Sequence, residues 1–138
     1  DLAQRESAQL SVVRVWHLHG ESMLRRGFAR ISGAELERQI EQTRLCHLDG
    51  LSRLLANYDL SIDAPEVHLL KGNPAATIDG LTRDLQADLV VMGTVGRTGI
   101  PGFFIGNTAE EVLQTTTASV LAVKPRDFIS PVTVSQMA

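Results

Sequence analysis

Three glycines in one stretch set the chemistry of this chain: Gly93, then Gly96 after two residues, then Gly106 after nine more, followed directly by Asn107 and Thr108. Glycine has no Cβ, so its backbone takes positive φ at little cost and lets main-chain amides come close to a ligand. Where such a loop runs into a helix, the first amides of that helix lack internal partners and present their positive ends to an anion, phosphate above all. Arg97, inside the loop, either neutralises phosphate charge or stays solvated. Ile100, Pro101, Phe103, Phe104 and Ile105 add an apolar patch to the same loop, suited to a lid over a ligand or to covering the end of a sheet. A turn-rich connection into a capped helix accounts for the same residues without any ligand.

Other reactive groups are sparse. His17 and His19 alternate along a strand end and share a side, which suits a metal, but the sequence offers no third ligand. Cys46 has no neighbouring base and reads as a small core residue. No nucleophile with its base, and no pair of carboxylates with a defined role, stands out. We therefore assign no catalytic residue and no metal ligand.

The elements that position the loop follow from apolar spacing. Gln9 to Leu18 holds Leu10, Val12, Val13, Val15, Trp16 and Leu18 without helical period, a buried strand. A polar, glycine-bearing stretch then runs from His19 to Gly33. Leu36, Ile40, Leu48, Leu51 and Leu55 mark a long amphipathic helix over residues 34–58. Ala64 to Leu70 alternates as an edge strand, and Asn73-Pro74 reads as the cap and first residue of a helix with Ile78, Leu81 and Leu85 on one face. Asp88 to Gly93 contains an unbroken apolar run, expected of a central parallel strand covered on both faces. Asn107 and Glu110 stand as in a capping box before a helix with Ala109, Val112 and Leu113 on its apolar face. Ser119 to Val123 is a last buried strand, stopped by Pro125, and residues 126–138 form a tail in which Phe128, Ile129, Val132 and Val134 suit pairing with a sheet edge or a partner. Alternating strands and helices predict an α/β fold with a mostly parallel sheet, right-handed crossovers and helices on both faces. Ligands in such sheets sit at the carboxyl ends of strands, where the loop after Met92 lies.

The chain has 138 residues, enough for one domain (1–125) with its own core before the tail. Its 13 basic and 16 acidic residues give a net charge of -3, which argues against nonspecific nucleic-acid binding. A single cysteine forms no internal disulfide, and no apolar run approaches the roughly 18 residues of a membrane span, so a cytoplasmic setting without membrane contact is expected.

The wording Val90-Val91-Met92-Gly93-Thr94-Val95-Gly96-Arg97-Thr98-Gly99, with Gly106-Asn107-Thr108-Ala109-Glu110, resembles the universal stress protein superfamily, and within it the second domain of tandem, E-type members. The resemblance implies a Rossmann-like, adenine nucleotide alpha hydrolase-like fold with an open, mostly parallel five-stranded sheet. In that family a G-x2-G-x9-G-[S/T] pattern marks members that bind ATP, with Mg2+. Here the spacing matches, while Asn107 stands where Ser or Thr is expected and Thr108 follows it. By position, Gly93, Gly96, Gly106, Asn107 and Thr108 would line the phosphates, with Arg97 beside them. Val15 and Met92 would flank the base or serve as ordinary core residues. Gly72 and Asn73 would meet the ribose or simply cap a helix. Family members also open with a central strand ending in aspartate, whose loss would strand inner-edge amides. That strand is not in this sequence, so a preceding segment is expected.

Two classes of function are open at this point. One is a regulatory module that binds ATP or a related adenine nucleotide with little or no catalysis. The other is an interaction module that keeps the fold without the ligand and assembles as a homodimer or against a second universal stress protein domain, since family members commonly pair through the final strand.

Overall fold

The computed structural model describes residues 2–26, 31–94 and 106–124, and divides into two compact units, Asp1–Thr77 and Ile78–Ala138. The first unit is built on two parallel strands, β1 (Val12–Trp16) and β2 (Val67–Lys71), in register from Val12 against Val67 to Trp16 against Lys71. Between them in sequence come α2 (Glu21–Arg25) and the long α3 (Gly33–Leu55), after a short α1 (Leu2–Arg5) at the start. Strand alternation places Arg14 and Trp16 on one face of β1. That face meets α3: Trp16 stacks on His47 with ring centroids 6.2 Å apart, and Arg14 Nε donates to His47 Nδ1 at 3.1 Å. A Cβ at Gly50 would sit 3.0 Å from the Arg14 guanidinium, so this mid-helix glycine makes room for the arginine to lie across α3.

Helix α3 starts where a side chain can satisfy its first amides. Ser32 is the N-cap and its Oγ accepts from the Glu35 amide at 3.1 Å. Leu36, Leu51 and Leu55 are buried along one stripe, while Arg38–Glu35, Arg44–Glu41 and Arg53–Asp49 pair along the wet side. The helix passes into a 3-10 turn (Ala56–Tyr58) that ends at Asp59 with φ 53. Cys46 falls on the exposed side of α3, which corrects its reading as a core residue: the helical period puts it off the Leu36–Leu51–Leu55 stripe.

His47 gives this packing a pH dependence. Burial, and then the positive charges of Arg14 and His17, hold its pKa below the ordinary 6.5. Between those values the unfolded chain binds the proton and the folded one does not, so stability rises with pH there. We expect the urea midpoint, followed by Trp16 fluorescence, to hold above pH 6.5 and to fall as the pH drops below it. His47→Gln should flatten that fall. Equal acid sensitivity of both proteins would refute the assignment.

Helix α4 (Pro74–Asp84) crosses the boundary between the units. Its start matches the sequence reading: Pro74 is the first helical residue, and Asn73 Oδ1 accepts from the Ala76 amide at 3.1 Å. It ends in Gln86 at φ 51, with the Ala87 amide turned back to the Thr82 carbonyl.

The second unit holds β3 (Leu89–Gly93), α5 (Asn107–Thr115) and β4 (Ser119–Val123), the strands parallel and in register from Leu89 against Ser119 to Gly93 against Val123. Val112 and Ala109 of α5 are buried. The α/β class with parallel strands is as expected. The four strands among the described residues form two two-stranded ladders, and the central strand expected to complete a five-stranded sheet is not in this sequence. β3 is also less covered than its sequence suggests: Leu89 and Val91 are exposed on the same face as Leu121 and Val123 of β4. Residues 95–105 and 125–138, with Gly96, Arg97, the apolar loop patch and the tail, lie outside the described residues.

Candidate functional site

The two described ends of the glycine loop, Thr94 and Gly106, are held together. β3 ends at Gly93, and the next residue, Thr94, donates its amide to the Val123 carbonyl at 3.3 Å, extending the ladder by one step. The Thr94 carbonyl then accepts from the Gly106 amide at 2.8 Å. Strand end and helix start are thereby tied together, and Met92, Gly93, Gly106, Asn107 and Thr108 belong to one unit, β3 carrying the first two and the start of α5 the rest. Met92 and Thr108 are half-buried, and Gly93 and Asn107 are exposed.

The start of α5 differs from the capping box read from Asn107 and Glu110. Gly106 is the N-cap, with φ -59 and ψ 146, and its carbonyl accepts from the Glu110 amide at 3.0 Å. Asn107 is already the first helical residue and so stands one place past the capping position. The first turn is consequently left without a side-chain cap from its N-cap residue, the state that suits an anion.

Thr94 is the residue the sequence reading passed over. It is only 2 % exposed, and its Oγ1 is one of two buried side-chain atoms among the described residues without a hydrogen-bond partner, the other being His68 Nε2 in the first unit. A buried hydroxyl left unpaired costs about 1–3 kcal/mol. Its position, immediately after Gly93 and with its backbone carbonyl bonded to Gly106, puts the residue next to the N-cap of α5. The signal was present in the sequence as a hydroxyl residue directly following the first glycine. The unpaired hydroxyl and the first helix amides are both donors, the chemistry that suits a phosphate.

Val15, Gly72 and Asn73 belong to the first unit. Val15 faces Leu70 in the β1–β2 ladder, and the Gly72 amide donates to the Trp16 carbonyl at 3.0 Å, so Val15 and Gly72 share the carboxyl end of that strand pair. A Cβ at Gly72 would meet Thr77 Oγ1, so a side chain there would oblige Thr77 to change rotamer. The Asn73 side chain is engaged as the cap of α4. His17 and His19 stand with ring centroids 6.4 Å apart, and among the described residues no three His, Cys, Asp or Glu side chains gather into a metal-binding group.

The model of the universal stress protein family matches residues 1–124, nearly the whole of this α/β chain and its glycine loop. The chain belongs to the universal stress protein family. Among its relatives within that family, Universal stress protein E of Escherichia coli K12 is 48% identical over 86 residues, covering 62% of this chain and 27% of the relative. Universal stress protein E of Salmonella typhi is 46% identical over the same length. The chain thus spans about a quarter of the length of the curated relatives that it matches. In three dimensions this universal stress protein chain is similar to the crystal structure of a functionally unknown protein, PA1789, from Pseudomonas aeruginosa PAO1, at 29% identity and a TM-score of 0.59, over 92% of this chain and 38% of that one.

Proposed function

We propose that this universal stress protein chain is a regulatory module that holds ATP or a related adenine nucleotide at the loop from Met92 to Thr108, with little or no catalysis. The observation that favours this reading most is the Thr94 hydroxyl, buried and unpaired on the residue next to the N-cap of α5, a helix start that this N-cap leaves open. Thr94 Oγ1 and the first amides of α5 are the phosphate donors; Gly93, Gly96 and Gly106 let the backbone approach; Arg97 and the Asn107 amide add charge and a further donor. With Mg2+, the ligand would bring its own cation, and the described residues supply orientation and water exclusion only. Occupancy would act by favouring one conformation or assembly over another. We place the protein in the cytoplasm on its single exposed cysteine, and among the described residues no helix is long and apolar enough to cross a membrane.

One observation favours a second reading, a homodimerising interaction module. Leu89, Val91, Leu121 and Val123 form an exposed apolar face on the β3–β4 ladder, the kind of surface that marks an assembly site. Denaturing the purified protein and chromatographing the supernatant separates the two. The nucleotide reading expects an adenine-nucleotide peak near one equivalent and a rise in melting temperature on adding MgATP, since ligand at a hundredfold its Kd adds about 2.7 kcal/mol. Gly106→Val should remove both and leave the far-UV spectrum intact. No peak and no thermal shift, together with a dimer in solution, would leave the interaction module standing.

A further inference from the structure

Outside the glycine loop, charged side chains gather in the first unit beside Gly72, the residue that the family resemblance set against a ribose or a helix cap. At the carboxyl ends of β1 and β2 an open cleft of about 430 Å³ is walled by the β1–α2 turn, α2 and the last residue of β2. The cleft is widely open to solvent, and carboxyl ends of parallel strands are where α/β sheets receive ligands. Gly20, at φ 75, makes the turn that brings α2 over this end.

The cations in the wall are held in place. Lys71 Nζ lies 2.8 Å from the Glu21 carboxylate and 5.6 Å above the centre of the Trp16 ring, so the ammonium is fixed between a buried aromatic and a carboxylate. Arg25 NH2 reaches the same carboxylate at 2.8 Å, and a longer contact of 3.4 Å joins it to Glu37, which is well solvated. Glu21 is held below the usual carboxylate range chiefly by the hydrogen bond from Lys71, and so remains an anion between two cations. The residues lining the cleft carry two cations against Glu21, with Glu37 beyond the wall reaching Arg25 at the longer distance, and His17 and Ser22 as further polar groups. An ammonium has three N–H groups and a guanidinium five, more than one carboxylate accepts. The remaining donors suit a group with several acceptor oxygens and more than one negative charge.

We propose that this cleft binds a small phosphorylated molecule, with Lys71 and Arg25 on the phosphate, Ser22 and His17 completing its shell, and the rest of the cleft holding a body of sugar size. Glu21 sets the positions of the two cations and competes with the ligand for them.

Titrating the full chain with ribose 5-phosphate and, separately, with inorganic phosphate, followed by amide shifts in nitrogen-15 NMR at constant ionic strength with chloride as the reference anion, tests this. Saturable shifts are expected at residues 17–25 and 71–72, with the monoester binding several-fold more tightly than free phosphate. Lys71→Met should weaken binding by about tenfold or more, whereas Arg53→Met, a charge lost near the end of α3, should not. Glu21→Gln, which keeps an acceptor for Lys71 and removes the competing charge, should tighten binding about threefold or more. Gly106→Val should leave these shifts unchanged while removing nucleotide retention, so the two sites fail separately. Shifts spread over all basic residues, binding indifferent to Lys71→Met in a chain whose spectrum shows it folded, or no gain from Glu21→Gln would overturn the site. Equal affinity for phosphate and the monoester would overturn the sugar-sized body.

Discussion

Thr94→Val is expected to make the protein more stable and a poorer binder at once. Valine matches the shape of threonine and suits a strand end, so the substitution removes the orphan hydroxyl without opening a cavity. Relief of an unpaired buried polar group should raise the unfolding free energy by about 1–2 kcal/mol. The same change deletes a donor from the proposed phosphate site, where a hydrogen bond to a charged group is worth about 1.5–3 kcal/mol, a loss of roughly tenfold or more in nucleotide affinity. Urea denaturation followed by far-UV circular dichroism, with MgATP binding measured on the same preparations, gives both numbers. A hydroxyl that serves only the fold would show the opposite stability change, and binding that survives intact would remove Thr94 from the site.

The largest loss of stability is expected at Leu51. Its side chain is 1% exposed on the face of α3 turned to the core of the first unit, and truncation to alanine should cost about 3 kcal/mol through lost burial and the cavity left behind. Leu54, three residues along the same helix, is 51% exposed, and its truncation should cost well under about 1 kcal/mol. Because the chain has one tryptophan, buried in the same unit, its fluorescence follows the unit in which both leucines sit. Similar losses from the two substitutions would mean that the stripe assigned to the core is wrong.

Elements whose signals are local were legible from residues alone. The β-branched run around Val13 and Val15, the leucine spacing of α3 and the Asn73-Pro74 start of α4 each hold their structural cause within a few residues. Helix α2 was not legible. Its five residues are anchored by Glu21 to Lys71, 50 positions away, and no local pattern encodes a partner at that distance. The cap of α5 was misplaced by one residue because asparagine and glycine both serve at that position, and the choice is made by the Thr94–Gly106 hydrogen bond, a tertiary contact. For the site, glycine spacing pointed to the loop. Thr94 escaped because its importance lies in the absence of a partner, which only burial and geometry reveal.

The bond from the Gly106 amide to the Thr94 carbonyl separates what the loop does from what the fold requires. Once both ends are pinned, the entropic penalty of the excursion grows only with the logarithm of its length, about 0.6 kcal/mol for each doubling. By this term alone, lengthening the connection costs the fold little. The distance between strand end and helix start is thus set by one hydrogen bond and not by the length of chain that joins them.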